Sequence, residues 1–171
     1  MPTFPGMDAV GLHRVAKSLR ARGVPFAPDV LRYAIRLLYS SVVPIETEIG
    51  EGTHLGYGGL GVVIHPAARI GARCLIGPHV TIGGRSGYTG APRIGDEVLI
   101  AVGARVLGPI VIGDGAIVGA NAVVVRDVPP GVVVGGVPAR ILGPAGRSRE
   151  AFRAEMKAHF GVELVDAGAH R

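Results

Sequence analysis

The sequence predicts a mainly-β protein: a parallel β-helix of hexapeptide repeats, with short helices before and after it. Two observations carry this. From Val43 to about Val128 an aliphatic residue recurs every sixth position: Val43, Ile49, Leu55, then Ile64, Ile70, Ile76, Ile82, then Ile94, Ile100, Val106, Ile112, Val118, Val124. The residue after each is usually Gly or Ala. The residue four after each is small or branched, as at Thr53, Ala68, Cys74, Val98, Ala104 and Ala122. A helix would repeat its apolar face at three and four residues, and a half-buried strand would alternate throughout. A period of six fits a short strand, a tight turn and another short strand. Three such units close a triangular coil, and coils must stack because one unit cannot bury its own apolar face. The aliphatic residue then points inward and the small residue fits the corner. Gly after the aliphatic is expected to allow the turn conformations that bulky residues resist.

The elements follow in order. Residues 8–22 place Leu12, Val15, Ala16 and Leu19 on one helical face, and Gly23 with Pro25 forbids continuation. Residues 28–40 open with Pro28 in a first turn and Asp29 near the positive end of the helix dipole. The expected role of this second helix is to clamp across the open end of the prism, since terminal repeats need caps. A competing reading takes Arg14, Lys17, Arg20, Arg32 and Arg36 as a basic amphipathic segment making weak contact with a membrane surface. The register of six then breaks twice. The step from Leu55 to Ile64 is nine, a three-residue bulge within residues 56–61, and the step from Ile82 to Ile94 is twelve, through a Gly-rich segment over 83–93. That segment lacks inward aliphatics and reads as a projecting loop, though counting leaves open whether it hides a strand. Asp96 and Asp114 follow Gly in turns and read as rim-solvating. Beyond Val128 the pattern fades, and residues 148–160 suggest a terminal helix. The division is therefore 1–42 helical cap, 43–142 β-helix, and 143–171 C-terminal helix and tail.

Composition agrees. With no Trp and four Phe in 171 residues, a hydrophobic content of 48% must form a core of stacked aliphatics, and 28 Gly suit repeated turns. A net charge of +5 could serve nucleic acid, a membrane surface or a phosphorylated ligand. No interleaving of aromatic and basic residues marks a nucleic-acid surface, so none is expected as a partner. A single cysteine, Cys74, falls on an inward corner and reads as packing. It forms no disulfide framework, which fits a reducing compartment. No signal peptide and no membrane span is expected, so the expected location is cytoplasmic.

Several stretches closely resemble one family. Residues 70–84 (IGARCLIGPHVTIGG), 100–108 (IAVGARVLG), 118–127 (VGANAVVVRD) and 134–142 (VGGVPARIL) resemble the serine O-acetyltransferase branch of the left-handed β-helix acyltransferases. Residues 56–65 (GYGGLGVVIH) resemble the short members associated with polysaccharide gene clusters. The resemblance implies a left-handed coil, a homotrimer, and acetyl-coenzyme A bound in the groove between neighbouring prisms. It implies that backbone around Val102, Gly103 and Ala104 and around Gly119 and Ala120 lines the pantetheine. Gly83 and Gly84 join the coenzyme site, with Pro138 leading into Arg140 near the nucleotide phosphate. No metal is implied. The departures concern the acceptor half. Where the family carries an Asp-His pair, a second histidine before a proline, and a substrate-binding Asp, this chain holds Gly56 and Tyr57, Ala91 before Pro92, and about Val42. Two short helices stand where the family has a long helical domain.

Acetyl transfer to a hydroxyl needs a base of near-neutral pKa, for which histidine is suited, and an oxyanion donor. His65 and His79 are the candidate bases, at a subunit interface, with His54 a lesser one. Tyr57 occupies the family's catalytic-histidine position and would orient the acceptor or donate a proton. The expected activity is an acetyl-coenzyme-A-dependent O-acetyltransferase acting on a hydroxyl of a sugar or serine-like small molecule, with the missing serine-site residues tilting towards sugar. The alternatives are a serine O-acetyltransferase proper, a trimeric module that binds coenzyme A without catalysis, and a zinc enzyme of the carbonic anhydrase type.

Overall fold

The structure is a computed structural model that describes residues 8–146, together with Ala154 and Ala158. Apart from those two, the terminal helix expected over 148–160 lies outside the described residues. Two helices come first, α1 (Ala9–Ala21) and α2 (Ala27–Tyr39). Asp8 caps α1 by accepting a hydrogen bond from the Gly11 N–H at 2.7 Å, and Pro28 sits in the first turn of α2.

Four coils follow, each of three short strands. They are β1 (Glu48–Ile49), β2 (His54–Leu55) and β3 (Val63–Ile64), then β4 (Arg69–Ile70), β5 (Leu75–Ile76) and β6 (Thr81–Gly83). The third coil is β7 (Arg93–Ile94), β8 (Leu99–Ile100) and β9 (Arg105–Leu107), and the fourth is β10 (Val111–Ile112), β11 (Ile117–Val118) and β12 (Val123–Val124). Strands β13 (Val132–Gly135) and β14 (Arg140–Pro144) end the described fold. Corresponding strands stack in three sheets: β1-β4-β7-β10, β2-β5-β8-β11-β13-β14 and β3-β6-β9-β12. All pairings are parallel except β13 with β14, an antiparallel return that the fading sequence pattern does not announce. It crosses the boundary placed at residue 142.

The aliphatic register is the core. Ile49, Ile70, Ile94 and Ile112 align in the first sheet, Leu55, Ile76, Ile100 and Val118 in the second, and Ile64, Ile82, Val106 and Val124 in the third. Nearly all are buried, and so are Ala68, Cys74, Val80, Val98, Ala104, Ala116 and Ala122 at the corners. Each buried aliphatic side chain stabilises the fold by about 1.5–3 kcal/mol.

The turns differ from expectation in one respect. Left-handed backbone falls three residues after each aliphatic of the first two sheets, at Gly52, Gly58, Gly103 and Gly115 but also at Arg73, His79, Glu97 and Asn121, and not after those of the third. The Gly directly after the aliphatic serves close approach instead. In the corner between the first and second sheets, a Cβ on Gly50 would lie 2.5 Å from Gly71 backbone, and one on Gly71 would lie 2.5 Å from Gly95. The same corner corrects the reading of the acidic residues. Asp96 Oδ1 accepts from the Ala72 N–H at 2.8 Å and Asp114 Oδ1 accepts from the Asp96 N–H at 2.8 Å. These carboxylates staple one coil to the next. Cys74 is packing, as read: it is buried, and desolvation pushes its thiol up to about 11.

Both register breaks are real. The bulge folds as a 3₁₀ turn over Gly56–Gly59, and residues 84–92 form a loop with no strand. The cap is divided differently from the expectation for the second helix. It is α1 that meets β2 and the bulge, with Ala9 and Val10 in the prism core, while α2 packs chiefly on α1 through Ile35. The opposite side of α2 leaves Val30, Tyr33 and Leu37 exposed.

Two predictions follow from this packing. Gly71→Ala should force the coils apart and destabilise the protein by roughly 1–3 kcal/mol or more, read by urea unfolding, because overpacking beside backbone has no flexible neighbour to yield. His13, on α1, is 2% exposed and its Nδ1 has no hydrogen-bond partner among the described residues. Desolvation by burial lowers its pKa from 6.5 to about 4, with Lys17 and Arg14 adding to the shift and the Thr47 backbone and Glu46 opposing it. The unfolded chain therefore binds more protons between these values. Stability should be complete above pH 6.5 and fall as pH drops towards 4, by an amount on the order of 3 kcal/mol. Thermal melts of His13→Leu should lack that part of the acid slope.

Candidate active site

The corner between the second and third sheets gathers most of the candidate residues. After β2, β5, β8 and β11 of the second sheet come a small residue and then a second corner residue: Gly56-Tyr57, Gly77-Pro78, Ala101-Val102 and Gly119-Ala120. Stacked, they make a shallow apolar groove walled by Tyr57, Leu75, Pro78, Leu99 and Val102. Gly77 makes the column possible, since a Cβ there would stand 2.7 Å from the Val102 nitrogen. Tyr57 is 76% exposed at the head of this groove, held with φ +54° by the bulge. The N–H groups of Val102 and Ala120 make no hydrogen bond among the described residues. Ala104 turns its side chain into the core, so only its backbone belongs to this corner. At the foot of the column, the turn after β13 pairs with Val123 through Gly136 and Ala139 and presents exposed Pro138 and Arg140.

His79 belongs to the same corner. It is exposed, has φ +57°, and its N–H donates to the Leu60 carbonyl at 2.8 Å. Its ring lies against Gly61, where a Cβ would come within 2.2 Å of Nδ1. A left-handed backbone at a non-glycine residue is strained unless its surroundings hold it. One of those holders was not anticipated: Arg105 Nη1 donates to the His79 carbonyl at 2.6 Å and to the Gly103 carbonyl at 2.7 Å. The sequence marks Arg105 as outward-facing on its strand, but the direction in which its long side chain folds is a tertiary fact.

His65 lies elsewhere. With Gly83 and Gly84 it forms the corner between the third and first sheets, at the root of the 84–92 loop. Its Nδ1 accepts a hydrogen bond from the Ala67 N–H at 3.1 Å. A neutral imidazole whose Nδ1 accepts carries its hydrogen on Nε2, so His65 is arranged as a donor at Nε2. The third sheet separates this corner from that of His79. His54 joins neither: it sits on β2 under the cap, with Nδ1 3.6 Å from Asp8, and burial lowers its pKa while Asp8 opposes the shift. Among the described residues no three or more His, Cys, Asp or Glu stand together as a metal site.

A three-sided prism of stacked hexapeptides with an apolar corner groove defines the hexapeptide-repeat transferase architecture. The bacterial transferase hexapeptide family model, of six repeats, matches residues 91–126. The serine acetyltransferase of Mycobacterium tuberculosis is 41% identical over 143 residues, covering 82% of this chain and 62% of that protein. That of Helicobacter pylori strain J99 is 34% identical over 141 residues, covering 81% of this chain and 82% of that protein. Among solved structures, the serine acetyltransferase of Brucella abortus in complex with coenzyme A superimposes with a TM-score of 0.75 at 32% identity, covering 82% of this chain and 56% of that one. The chain belongs to the serine acetyltransferase family, with its left-handed β-helix. It spans about three fifths of the length of several of these relatives, 59% for that of Synechococcus elongatus.

Proposed function

We propose that the protein is an acetyl-coenzyme-A-dependent O-acetyltransferase acting on the hydroxyl of a small molecule, with His79 as the general base. The observation that carries this reading is the corner groove. It offers apolar walls, an exposed tyrosine, and N–H groups at Val102 and Ala120 that have no partner among the described residues, with the exposed His79 beside it at the same corner. Apolar walls suit the alkyl parts of a pantetheine arm, and free N–H groups suit its amide carbonyls. Membership of the family and the coenzyme A complex of the Brucella relative support that donor.

The chemistry assigned to the residues is general-base acyl transfer. His79 takes the acceptor's hydroxyl proton as the oxygen attacks the thioester carbonyl, and returns it to the departing thiolate. Backbone N–H groups of the corner face the developing oxyanion. Tyr57 orients the acceptor from one coil above. His65, its hydrogen on Nε2, hydrogen-bonds an acceptor oxygen. Since the third sheet keeps the two histidine corners apart within one chain, a site that uses both must lie between neighbouring copies, and we take the assembly to be a homotrimer. Arg140 reaches the nucleotide phosphate at the foot of the column.

A sugar hydroxyl is the preferred acceptor, because Gly56, Tyr57 and Ala91 replace the family's serine-site residues. Serine is the second reading, favoured by relatives named serine acetyltransferase at 34–41% identity. Release of free thiol from acetyl-coenzyme A, measured with serine, homoserine and a panel of nucleotide- or lipid-linked sugars, decides between them. Coenzyme A binding with no thiol release from any acceptor would leave a non-catalytic module. His79→Ala should lower turnover about 100-fold, the scale of a lost general base. Gly61→Ala keeps the imidazole but displaces it, so turnover should fall while coenzyme A affinity holds. Full activity in both variants would remove His79 from the mechanism.

A further inference from the structure

A second concavity lies between the helical cap and the first coil. Its walls are Arg20 from α1 and Asp29, Arg32, Tyr33 and Arg36 from α2, its rim is Glu46, and residues 41–45 form its floor. The volume is about 370 Å³, room for a phosphorylated sugar. The charges are not balanced. Arg20 contacts Glu46 at 2.8 Å and Asp29 at 3.9 Å, and Arg32 contacts Asp29 at 3.4 Å. Two carboxylates are thus matched by two guanidinium groups. Arg36 is left over, with no hydrogen bond or ion pair among the described residues. Arg32 also lies over the Tyr33 ring, 4.8 Å from its centroid.

We propose that this cleft binds a phosphate or diphosphate group, carried by the acceptor of the acetyl transfer; what the phosphate is attached to rests on the reading of the function given above. Arg36 supplies a bidentate fork to two phosphate oxygens, and Arg32 and the Tyr33 hydroxyl supply further donors. The existing ion pairs do not oppose this. All of them are half-exposed, and such pairs are weak compared with a charge-assisted bond between guanidinium and phosphate. The position also fits an acceptor. The floor stacks on the coil of His65: Val42 bridges to Val63, and Thr47 Oγ1 lies 3.4 Å from the His65 carbonyl. A phosphate in the cleft therefore places the attached sugar towards the His65 corner.

Phosphate of this kind comes on a nucleotide sugar in solution or on a lipid-linked sugar at a membrane. The exposed stripe of Val30, Tyr33 and Leu37 beside the cleft, with Phe26 preceding it, makes the second source testable. The experiment is calorimetric titration of the full chain with inorganic pyrophosphate, for the wild type, Arg36→Gln, and Arg22→Gln as a surface control outside the cleft. Expected is saturable binding that weakens with salt, drops tenfold or more in Arg36→Gln and is unchanged in Arg22→Gln. No binding, or equal binding in all three, overturns the proposal. UDP-glucose and phosphatidylcholine vesicles carrying a polyprenyl phosphate form the two further arms. Tighter binding of the nucleotide sugar points to the soluble source; tighter vesicle binding that Leu37→Ser abolishes without changing pyrophosphate affinity points to the lipid one. Thiol release from acetyl-coenzyme A is followed separately. A chain that binds pyrophosphate through Arg36 but releases no thiol keeps the site and loses the enzymatic reading, and the converse result does the opposite.

Discussion

Everything in this molecule depends on how closely one coil can lie on the next. Strands pair only when their backbones stand about 4.8 Å apart, and the chain must keep that spacing around every corner. At the corner between the first and second sheets a column of bare glycines (Gly50, Gly71, Gly95) gives this clearance, because a Cβ at any of them would meet backbone of the next coil. Asp96 and Asp114 then tie that corner with side-chain bonds to N–H groups one coil away. The aliphatic ladder supplies the driving force, but the glycine column sets the geometry in which it can be buried.

That dependence explains what was legible in the sequence. The inward aliphatics and small corner residues are spaced by the backbone itself, so a count of six located every strand of the four coils. The breaks at 56–61 and 83–93 were visible for the same reason, as departures from a count. Features that depend on long side chains or on the contact between helices and prism were not. Nothing in residues 8–40 says that α1, and not α2, would put its apolar face on the open coil. Asp96 and Asp114 look like solvated turn residues until the next coil is placed beneath them. Arg105 reads as one more outward charge, although its guanidinium braces the backbone of two coils beside His79.

The candidate site shows the same division. Register alone brings Tyr57, Val102, Gly103, Gly119 and Ala120 to one corner, and the left-handed turn adds His79. The sequence offers both His65, directly after an inward aliphatic, and His79, at an outward corner, as the base, and two local facts part them. One histidine is exposed, with its ring against Gly61 at the corner that carries the groove. The other spends its Nδ1 lone pair on a neighbouring N–H at the opposite edge of the third sheet. A tautomer is fixed by whichever hydrogen bond the other nitrogen makes, and no pattern of residue types encodes that.

The antiparallel return of β14 has a consequence of another kind. A stack of identical parallel coils is a template without a natural end, and its last coil offers bare N–H and C=O groups to any strand that arrives. Here the last strand of the second sheet runs backwards, shifts register between Val133 and Val134, and ends on Pro144, which has no N–H to give. A further coil would have to enter parallel and would find the wrong polarity. With α1 seated on the first coil, the prism is closed to growth at both ends, and a fold built by repetition is kept from becoming a fibre.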